Sequence, residues 1–262
     1  MRKPVMPHPV LHHYASRDGV ELTYQQIGAG RPFLLLHGFL SSAALNWIRP
    51  GHAETIAARG YRVILPDLRA HGYSARPDDP RAYPPDVLVE DALRLIDHLD
   101  LADFDLGGYS LGARTVGRLL ARGARPARVV FGGIGLASLE SDGGSASIRQ
   151  VITQAGPFPP GSEGAKLRAL VRLRGEDPAR LLHVLDSSLG TSREELARRA
   201  VPSLVIVGAD DPLLSGAMEL AELLPDSQLV VIAGNHTSCV GPPDLGRAMA
   251  DFLGTPPGVS AA

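Results

Sequence analysis

The chain has 262 residues, of which 44% are apolar and 21% are charged, and this composition is typical of a soluble globular protein with a sizeable core. Its formal net charge of −2 excludes a strong overall attraction to nucleic acid or to an anionic membrane surface. The single cysteine, Cys239, excludes an intramolecular disulfide and a cysteine-based zinc site.

The two ends of the sequence predict little regular structure. The first nine residues contain three prolines (Pro4, Pro7 and Pro9) and no apolar stretch, so we expect a flexible segment rather than a signal peptide. Residues 255–262 predict a frayed tail. Since no run approaches the roughly 18 apolar residues of a membrane span, we expect a cytoplasmic protein with no membrane partner.

Eight stretches of the sequence predict β-strands. The first two, 10–15 and 20–27, flank the turn signal Arg17-Asp18-Gly19 and predict an antiparallel pair at a sheet edge. The third, 32–36, is continuously apolar, as is typical of a strand buried on both faces of a parallel sheet. The other five are 61–65, 104–108, 129–131, 204–207 and 228–232.

Helical patterns alternate with these strands, which predicts right-handed βαβ units and a mostly parallel sheet with helices on both faces. The alternation breaks between about residues 137 and 200, where helical patches occur without an obvious strand. We therefore predict one α/β domain spanning 1–262 with a small helical insertion at about 137–200. The charges of this insertion nearly cancel, so they give no case for an anionic substrate.

The segment Gly108-Tyr109-Ser110-Leu111-Gly112 lies where the fifth strand should turn into a helix. A sharp turn there would lift Ser110 out of the fold and leave no room for side chains at the flanking glycines. Free N–H groups at the helix N-terminus would favour negative charge developing at this serine. The alternative is a glycine-rich turn without chemistry.

Polar residues also follow other predicted strands, and in an open parallel sheet the carboxyl ends of the strands share one edge. Asp210-Asp211 follows the seventh strand, and Gly234-Asn235-His236 follows the eighth. Ser110, an aspartate and His236 therefore come together in that chain order. A serine nucleophile needs a base such as histidine, and the imidazole needs a carboxylate to orient it.

This arrangement resembles the α/β-hydrolase superfamily over nearly the whole chain. The resemblance implies an eight-stranded sheet and a small helical cap. It also implies that Ser110 is the nucleophile, His236 the base and Asp211 the acid. The adjacent Asp210 is the alternative acid, and we expect one of the two aspartates to be a helix cap or loop ligand. His37-Gly38 matches the family's His-Gly segment, which implies that the backbone N–H of Phe39 is one oxyanion-hole donor. The other implied donor is the backbone N–H of Leu111, the residue just after the nucleophile.

The loop 66–74 also resembles the family's loop after the fourth strand, and we read Asp67, Arg69 and His71 as its structural braces. We read His37 as structural and Cys239 as a buried apolar residue. Trp47 is left open between the core and the pocket entrance. In epoxide hydrolases and haloalkane dehalogenases an acid stands where Ser110 stands here, so those activities are disfavoured.

The resulting hypothesis is a serine hydrolase of an ester-like acyl bond in a small, largely apolar substrate, with no metal or organic cofactor. Carbon–carbon bond hydrolysis, thioester or lactone hydrolysis and perhydrolysis use the same triad and remain alternatives. A non-catalytic binding protein with this fold is the alternative from another class. Neither the oligomeric state nor the acyl group follows from the sequence.

Overall fold

A computed structural model describes residues 9–144, 146–154, 156–175 and 177–254. The predictions for residues 1–8 and 255–262 lie outside this part of the chain. Within it, no helix is long and apolar enough to cross a membrane.

Eight strands form one sheet, as the sequence predicts. They are β1 (Val10–Ala15), β2 (Glu21–Ile27), β3 (Arg31–Leu36), β4 (Tyr61–Asp67), β5 (Asp105–Tyr109), β6 (Val129–Gly132), β7 (Ser203–Gly208) and β8 (Ser227–Ile232). Their order is β1-β2-β4-β3-β5-β6-β7-β8. Strand β2 pairs antiparallel with β1 and β4, and all other pairs are parallel.

Helices cover both faces of the sheet. They are α1 (His52–Ala57), α2 (Val87–His98), α3 (Leu111–Ala121), α4 (Leu136–Glu140), α5 (Ala146–Thr153), α6 (Glu163–Leu173), α7 (Pro178–Asp186), α8 (Arg193–Ala197), α9 (Leu214–Leu223) and α10 (Asp244–Leu253). Short π- and 3₁₀-helical turns occupy 44–48, 80–82 and 238–240.

The apolar residues of β3 pack into two hydrophobic cores, one on each face of the sheet. Leu34 and Leu36 belong to the cluster that includes α2, α3 and α9, while Phe33 and Leu35 belong to the cluster on the other face with α1 and α10. Successive side chains of a strand point to opposite faces, so a strand covered on both sides must be apolar at every position. Trp47 is fully buried in the second of these cores.

The five helices α4 to α8 come between β6 and β7 in the sequence. The patches around 148–152, 167–171 and 181–185 form α5, α6 and α7, whereas the predicted patch residue Ala155 lies outside the described residues. Helices α4 and α8 were not predicted. Between residues 136 and 197 the described part of the chain contains no strand.

The strand order explains how distant residues can meet. Strands β3, β5, β6, β7 and β8 are successive neighbours and run parallel, so their carboxyl ends lie along one edge. The segments that follow β3, β5, β7 and β8 therefore begin side by side at this edge, where open α/β sheets bind their ligands.

Candidate active site

Ser110 occupies the sharp turn between β5 and α3. Its backbone has φ 52° and ψ −111°, a conformation that non-glycine residues rarely adopt. The turn is held by the Ser110 N–H, which donates to the Gly132 carbonyl at 2.8 Å, and by the Arg114 N–H, which donates to the Ser110 carbonyl at 2.9 Å. This strain places the serine hydroxyl above the first turn of an eleven-residue helix.

The two glycines of the turn are required by close backbone approaches. A Cβ atom on Gly108 would lie 2.3 Å from the carbonyl carbon of Gly112. A Cβ atom on Gly112 would lie 2.3 Å from the carbonyl oxygen of Leu36. The collision expected from the sequence therefore occurs on both sides of Ser110.

Ser110, His236 and Asp211 form a continuous chain of hydrogen bonds. The His236 Nε2 atom lies 3.1 Å from the Ser110 Oγ, and its Nδ1 atom lies 2.8 Å from the Asp211 Oδ2. An ionised carboxylate only accepts, so Nδ1 carries the proton and Nε2 is free to accept from the serine hydroxyl. The geometry is that of a nucleophile, a base and an orienting acid.

Asp211 rather than Asp210 contacts the histidine. The Asp211 side chain is completely buried, and its second oxygen, Oδ1, accepts from the Leu213 N–H at 2.9 Å. The turn-closing bond expected from one of the two aspartates is thus also made by Asp211. The Asp210 residue is exposed.

The Tyr109 side chain contacts the loop that carries His236, a contact that the sequence did not predict. Its hydroxyl donates to the His236 carbonyl at 2.6 Å and lies 3.1 Å from the Cys239 sulfur. Cys239 is buried as predicted, and burial raises the pKa of its thiol, which disfavours the nucleophilic thiolate form.

The two N–H groups expected to face an oxyanion both lie beside Ser110. Leu111 is the first residue of α3, and Phe39 lies in the segment after β3. Within the described ranges neither backbone N–H has a hydrogen-bond acceptor. Both residues line the same cavity as Ser110, and their role as oxyanion donors stays a prediction.

The histidines predicted to be structural connect the loops after β3 and β4. The His37 Nε2 accepts from the Leu68 N–H at 3.0 Å, and the His71 Nε2 accepts from the Leu40 N–H at 3.3 Å. Both rings are fully buried. They therefore fix the segment that carries the Phe39 N–H.

Asp67 and Arg69 brace the same region. The two Asp67 oxygens accept from the Ala43 and Tyr73 N–H groups, both at 2.8 Å. The buried Arg69 guanidinium pairs with Asp18 and Asp91, which ties the β1–β2 turn and α2 to the loop after β4. The structural role expected for these residues agrees with these contacts.

Two cavities meet at Ser110 and His236. The larger, of about 620 Å³, is lined by apolar residues such as Ile134 and by residues of α4, α5 and α7. The smaller, of about 350 Å³, is lined in part by Leu167 and Leu170 of α6. Substrate groups on the two sides of a scissile bond could therefore lie in separate spaces.

Arg114 is a charged residue of the larger cavity that the sequence did not lead us to predict. It lies one turn after Ser110 on α3 and is only 5% exposed. One signal in the sequence could have indicated it. Arg114 lies in the helix after the serine turn, and this helix was expected to pack against the sheet. Among the described residues, no group of three or more His, Cys, Asp or Glu side chains is arranged to hold a metal ion.

The fold and the site together define a protein of the α/β-hydrolase class. A family model described as alpha/beta hydrolase fold matches residues 31–130. The chain has the α/β-hydrolase fold, the proteins similar to it are hydrolases and related enzymes, and it is an enzyme with this fold.

Full-length similarities extend the match beyond residues 31–130. Non-heme chloroperoxidase CPO-A1 of Kitasatospora aureofaciens is 25% identical over 91% of this chain and 96% of its own. 3-Oxoadipate enol-lactonase 2 of Acinetobacter baylyi is 29% identical over 90% of this chain and 94% of its own. The crystal structure of a hydrolase from Pseudomonas aeruginosa superposes with a TM-score of 0.74 at 25% identity, covering 93% of this chain and 98% of that one.

Proposed function

We propose that this protein is a serine hydrolase that cleaves an ester-like acyl bond in a small, largely apolar substrate. The observation that carries the proposal is the hydrogen-bonded chain from Ser110 through His236 to the buried Asp211. A non-catalytic binding protein would need none of these groups, least of all a strained backbone at the serine.

The first half of the reaction forms an acyl-enzyme. The Ser110 Oγ attacks the substrate carbonyl carbon while His236 Nε2 takes the hydroxyl proton. The imidazolium that results is stabilised by the Asp211 carboxylate. As the tetrahedral intermediate collapses, the same proton passes from His236 to the leaving oxygen, and the alcohol departs.

The oxyanion of the intermediate is held by the backbone N–H groups of Phe39 and Leu111. Such donors are fixed before the reaction and lie in a partly water-excluded site, so they favour the transition state over the ground state. Loss of one donor typically costs on the order of 10²–10³ in turnover. The N-terminus of α3 adds a favourable dipole at the same position.

The second half of the reaction uses water in place of the alcohol. His236 takes a proton from water, the resulting hydroxide attacks the acyl carbonyl, and Ser110 leaves with the proton returned by His236. We further propose that helices α4 to α8 act as a cap that shapes the apolar cavity and limits entry of water. The lining residues contributed by α4, α5, α6 and α7 support this role.

A substrate panel tests the proposal. Purified protein and a Ser110→Ala variant would be assayed with p-nitrophenyl butyrate, a thioester, a lactone and a vinylogous 1,5-diketone. We expect Ser110-dependent hydrolysis of the ester. Folded wild-type protein that cleaves the diketone but none of the acyl–oxygen substrates would replace the proposal with carbon–carbon bond hydrolysis.

Perhydrolysis is a second candidate, favoured by the full-length similarity to a non-heme chloroperoxidase. In this reaction hydrogen peroxide attacks the acyl-enzyme instead of water, releasing a peracid and regenerating Ser110. Peracid formation from an ester and peroxide, measured beside ester hydrolysis, separates the two. Peracid release at a rate well above hydrolysis would favour this candidate.

A further inference from the structure

Arg114 places a buried positive charge beside the proposed nucleophile. It lies one helical turn, about 5.4 Å along α3, from Ser110 and lines the same 620 Å³ cavity. Nothing in the triad or the oxyanion hole uses this side chain. Buried charges are costly unless they are paired, so its presence calls for a physical reason.

All the partners of the Arg114 guanidinium are neutral. Its Nε donates to the Ser188 hydroxyl at 2.6 Å, and its Nη1 donates to the Ser138 carbonyl and, at 3.4 Å, to the Ser141 hydroxyl. The Nη2 atom is buried and has no hydrogen-bond partner in the described part of the chain.

Arg69, the other buried arginine of the described residues, has carboxylate partners. It forms ion pairs with Asp18 at 2.6 Å and with Asp91 at 2.7 Å. Within the same described ranges Arg114 has no carboxylate at ion-pair distance. Burial lowers the pKa of Arg114, the sign of a charge that its surroundings do not fully compensate.

The carboxylate that acts on Arg114 from a distance is Asp142. It also lines the cavity, but its Oδ1 accepts from the Gly190 N–H at 2.7 Å, and it is exposed. It therefore attracts Arg114 without neutralising it. Asp142 also lowers the anion affinity of this end of the cavity, so the guanidinium must outweigh it.

We propose that Arg114 binds a carboxylate of the substrate, separated by a few carbon atoms from the scissile carbonyl. The carboxylate would replace the long bond from Nη1 to the Ser141 hydroxyl. A small rotation of the guanidinium would then bring the buried Nη2, which lacks an acceptor, to the second carboxylate oxygen, giving the two-pronged pairing that guanidinium and carboxylate favour. Ser138 and Ser141 line the same end of the cavity and keep it polar. The substrate is thus apolar along most of its length and anionic at one end, which refines the proposed acyl hydrolysis and rests on it.

Pairs of substrates that differ only in the carboxylate test this inference. For the acyl side we would compare p-nitrophenyl hemiadipate with p-nitrophenyl 6-methylheptanoate, in which an isopropyl group replaces the carboxylate. For the leaving-group side we would compare 4-acetoxybenzoate with 4-isopropylphenyl acetate. We expect kcat/KM to be at least tenfold higher for the anion in one pair, because the substrate carboxylate forms an ion pair with the buried guanidinium.

Variants then assign the preference to Arg114. Arg114→Met should reduce the anion-to-isostere ratio at least tenfold, and Arg114→Lys should reduce it less. Arg122→Met is the matched control, because Arg122 directly follows α3, its side chain is 39% exposed, and it pairs with Asp86 and Glu90. The ratio should stay within twofold of wild type in this control.

A binding measurement separates this inference from the proposed reaction. Calorimetric titration with monomethyl adipate and with dimethyl adipate is made on the Ser110→Ala background, which lacks the proposed nucleophile, so that binding is measured without turnover. Binding of the monoanion at least tenfold tighter, with the difference lost in Arg114→Met, supports the inference even if no ester is hydrolysed. Equal or weaker binding of the monoanion, or a wild-type preference for the isostere in both substrate pairs, overturns it.

Discussion

At the scale of single residues, the choice between two adjacent aspartates decides how the imidazole is oriented. Asp211 reaches His236 because the turn after β7 is closed by its own bond to the Leu213 N–H. That bond holds the carboxylate in one rotamer and leaves Oδ2 for the histidine. The proposed acid is therefore preorganised before any substrate binds.

The first prediction concerns this pair. Asp211→Asn should lower kcat on p-nitrophenyl butyrate by about 10³–10⁴-fold, because an amide permits the wrong imidazole tautomer. Asp210→Asn, at the exposed neighbour, should change kcat less than threefold. Steady-state kinetics with circular dichroism as a folding control would measure both, and the reverse ranking would make Asp210 the acid.

At the scale of elements, the turn from β5 into α3 depends on contacts between backbones. Gly112 packs against the carbonyl of Leu36 at the end of β3, the strand that also leads to the Phe39 N–H. The same close approach therefore brings the serine turn and the oxyanion segment together. Backbone cannot move aside as a flexible side chain can, so this packing tolerates no added atom.

The second prediction follows from this contact. Gly112→Ala should destabilise the protein by about 3 kcal/mol or more, since overpacking against backbone has no local relief. Gly241→Ala is the matched control, because the carbonyl oxygen of Ser238 would lie 3.8 Å from the new Cβ and the Gly241 φ of −74° suits any residue. Urea unfolding measures both, and equal midpoints for the two variants would contradict the argument.

The elements that the sequence predicts are those whose signals are local. Apolar runs and turn residues locate all eight strands, and the polar residues at the strand ends locate Ser110, His236 and the pair Asp210-Asp211, from which the family resemblance selects Asp211. Helix α8 carries a local signal too, since Ser192 and Glu195 form a capping box at its N-terminus. Helix α4 has no capping side chain and only five residues, so its sequence contains little that would predict it.

The contacts that could not be predicted join residues far apart in the chain. Tyr109 meets the His236 carbonyl across 127 positions, and Arg114 meets Ser188 across 74. Whether an arginine on a helix is solvated or buried depends on which segments later pack over it. The near-cancellation of charge in residues 137–200 therefore gave no hint of the unpaired charge on α3.

At the scale of the whole molecule, two buried histidines couple the fold to pH. Complete burial lowers the pKa of His37 to about 4, and burial together with the neighbouring His37 lowers the pKa of His71 to about 3. Their rings lie 5.3 Å apart beneath the loops after β3 and β4. Each ring also accepts a backbone hydrogen bond, which requires the same neutral form that burial favours.

The third prediction is a loss of stability in mild acid. An unfolded histidine has a pKa near 6.5, so below that pH the unfolded state binds more protons than the native state. Stability should therefore fall as pH decreases from 6.5 toward 5, by about 1.4 kcal/mol per pH unit for each histidine. Burial raises the pKa of Asp67 and Asp91, which acts in the opposite direction.

A comparison of variants isolates the histidine contribution from that of the carboxylates. The free energy of unfolding of wild type and of His71→Gln would be measured in urea at pH 7, 6 and 5. Glutamine can accept the Leu40 N–H bond but does not titrate. The variant should show the shallower dependence on pH, and parallel curves would refute the assignment.

The central claim is that Ser110 is an activated nucleophile, and covalent labelling tests it without knowledge of the substrate. The protein would be treated with a fluorophosphonate, analysed by intact mass, and the modified peptide sequenced. We predict one label per chain on Ser110, abolished in Ser110→Ala and slowed in Asp211→Asn. Folded wild-type protein that takes up no label, or a Ser110→Ala variant labelled as fast as wild type, would contradict the account.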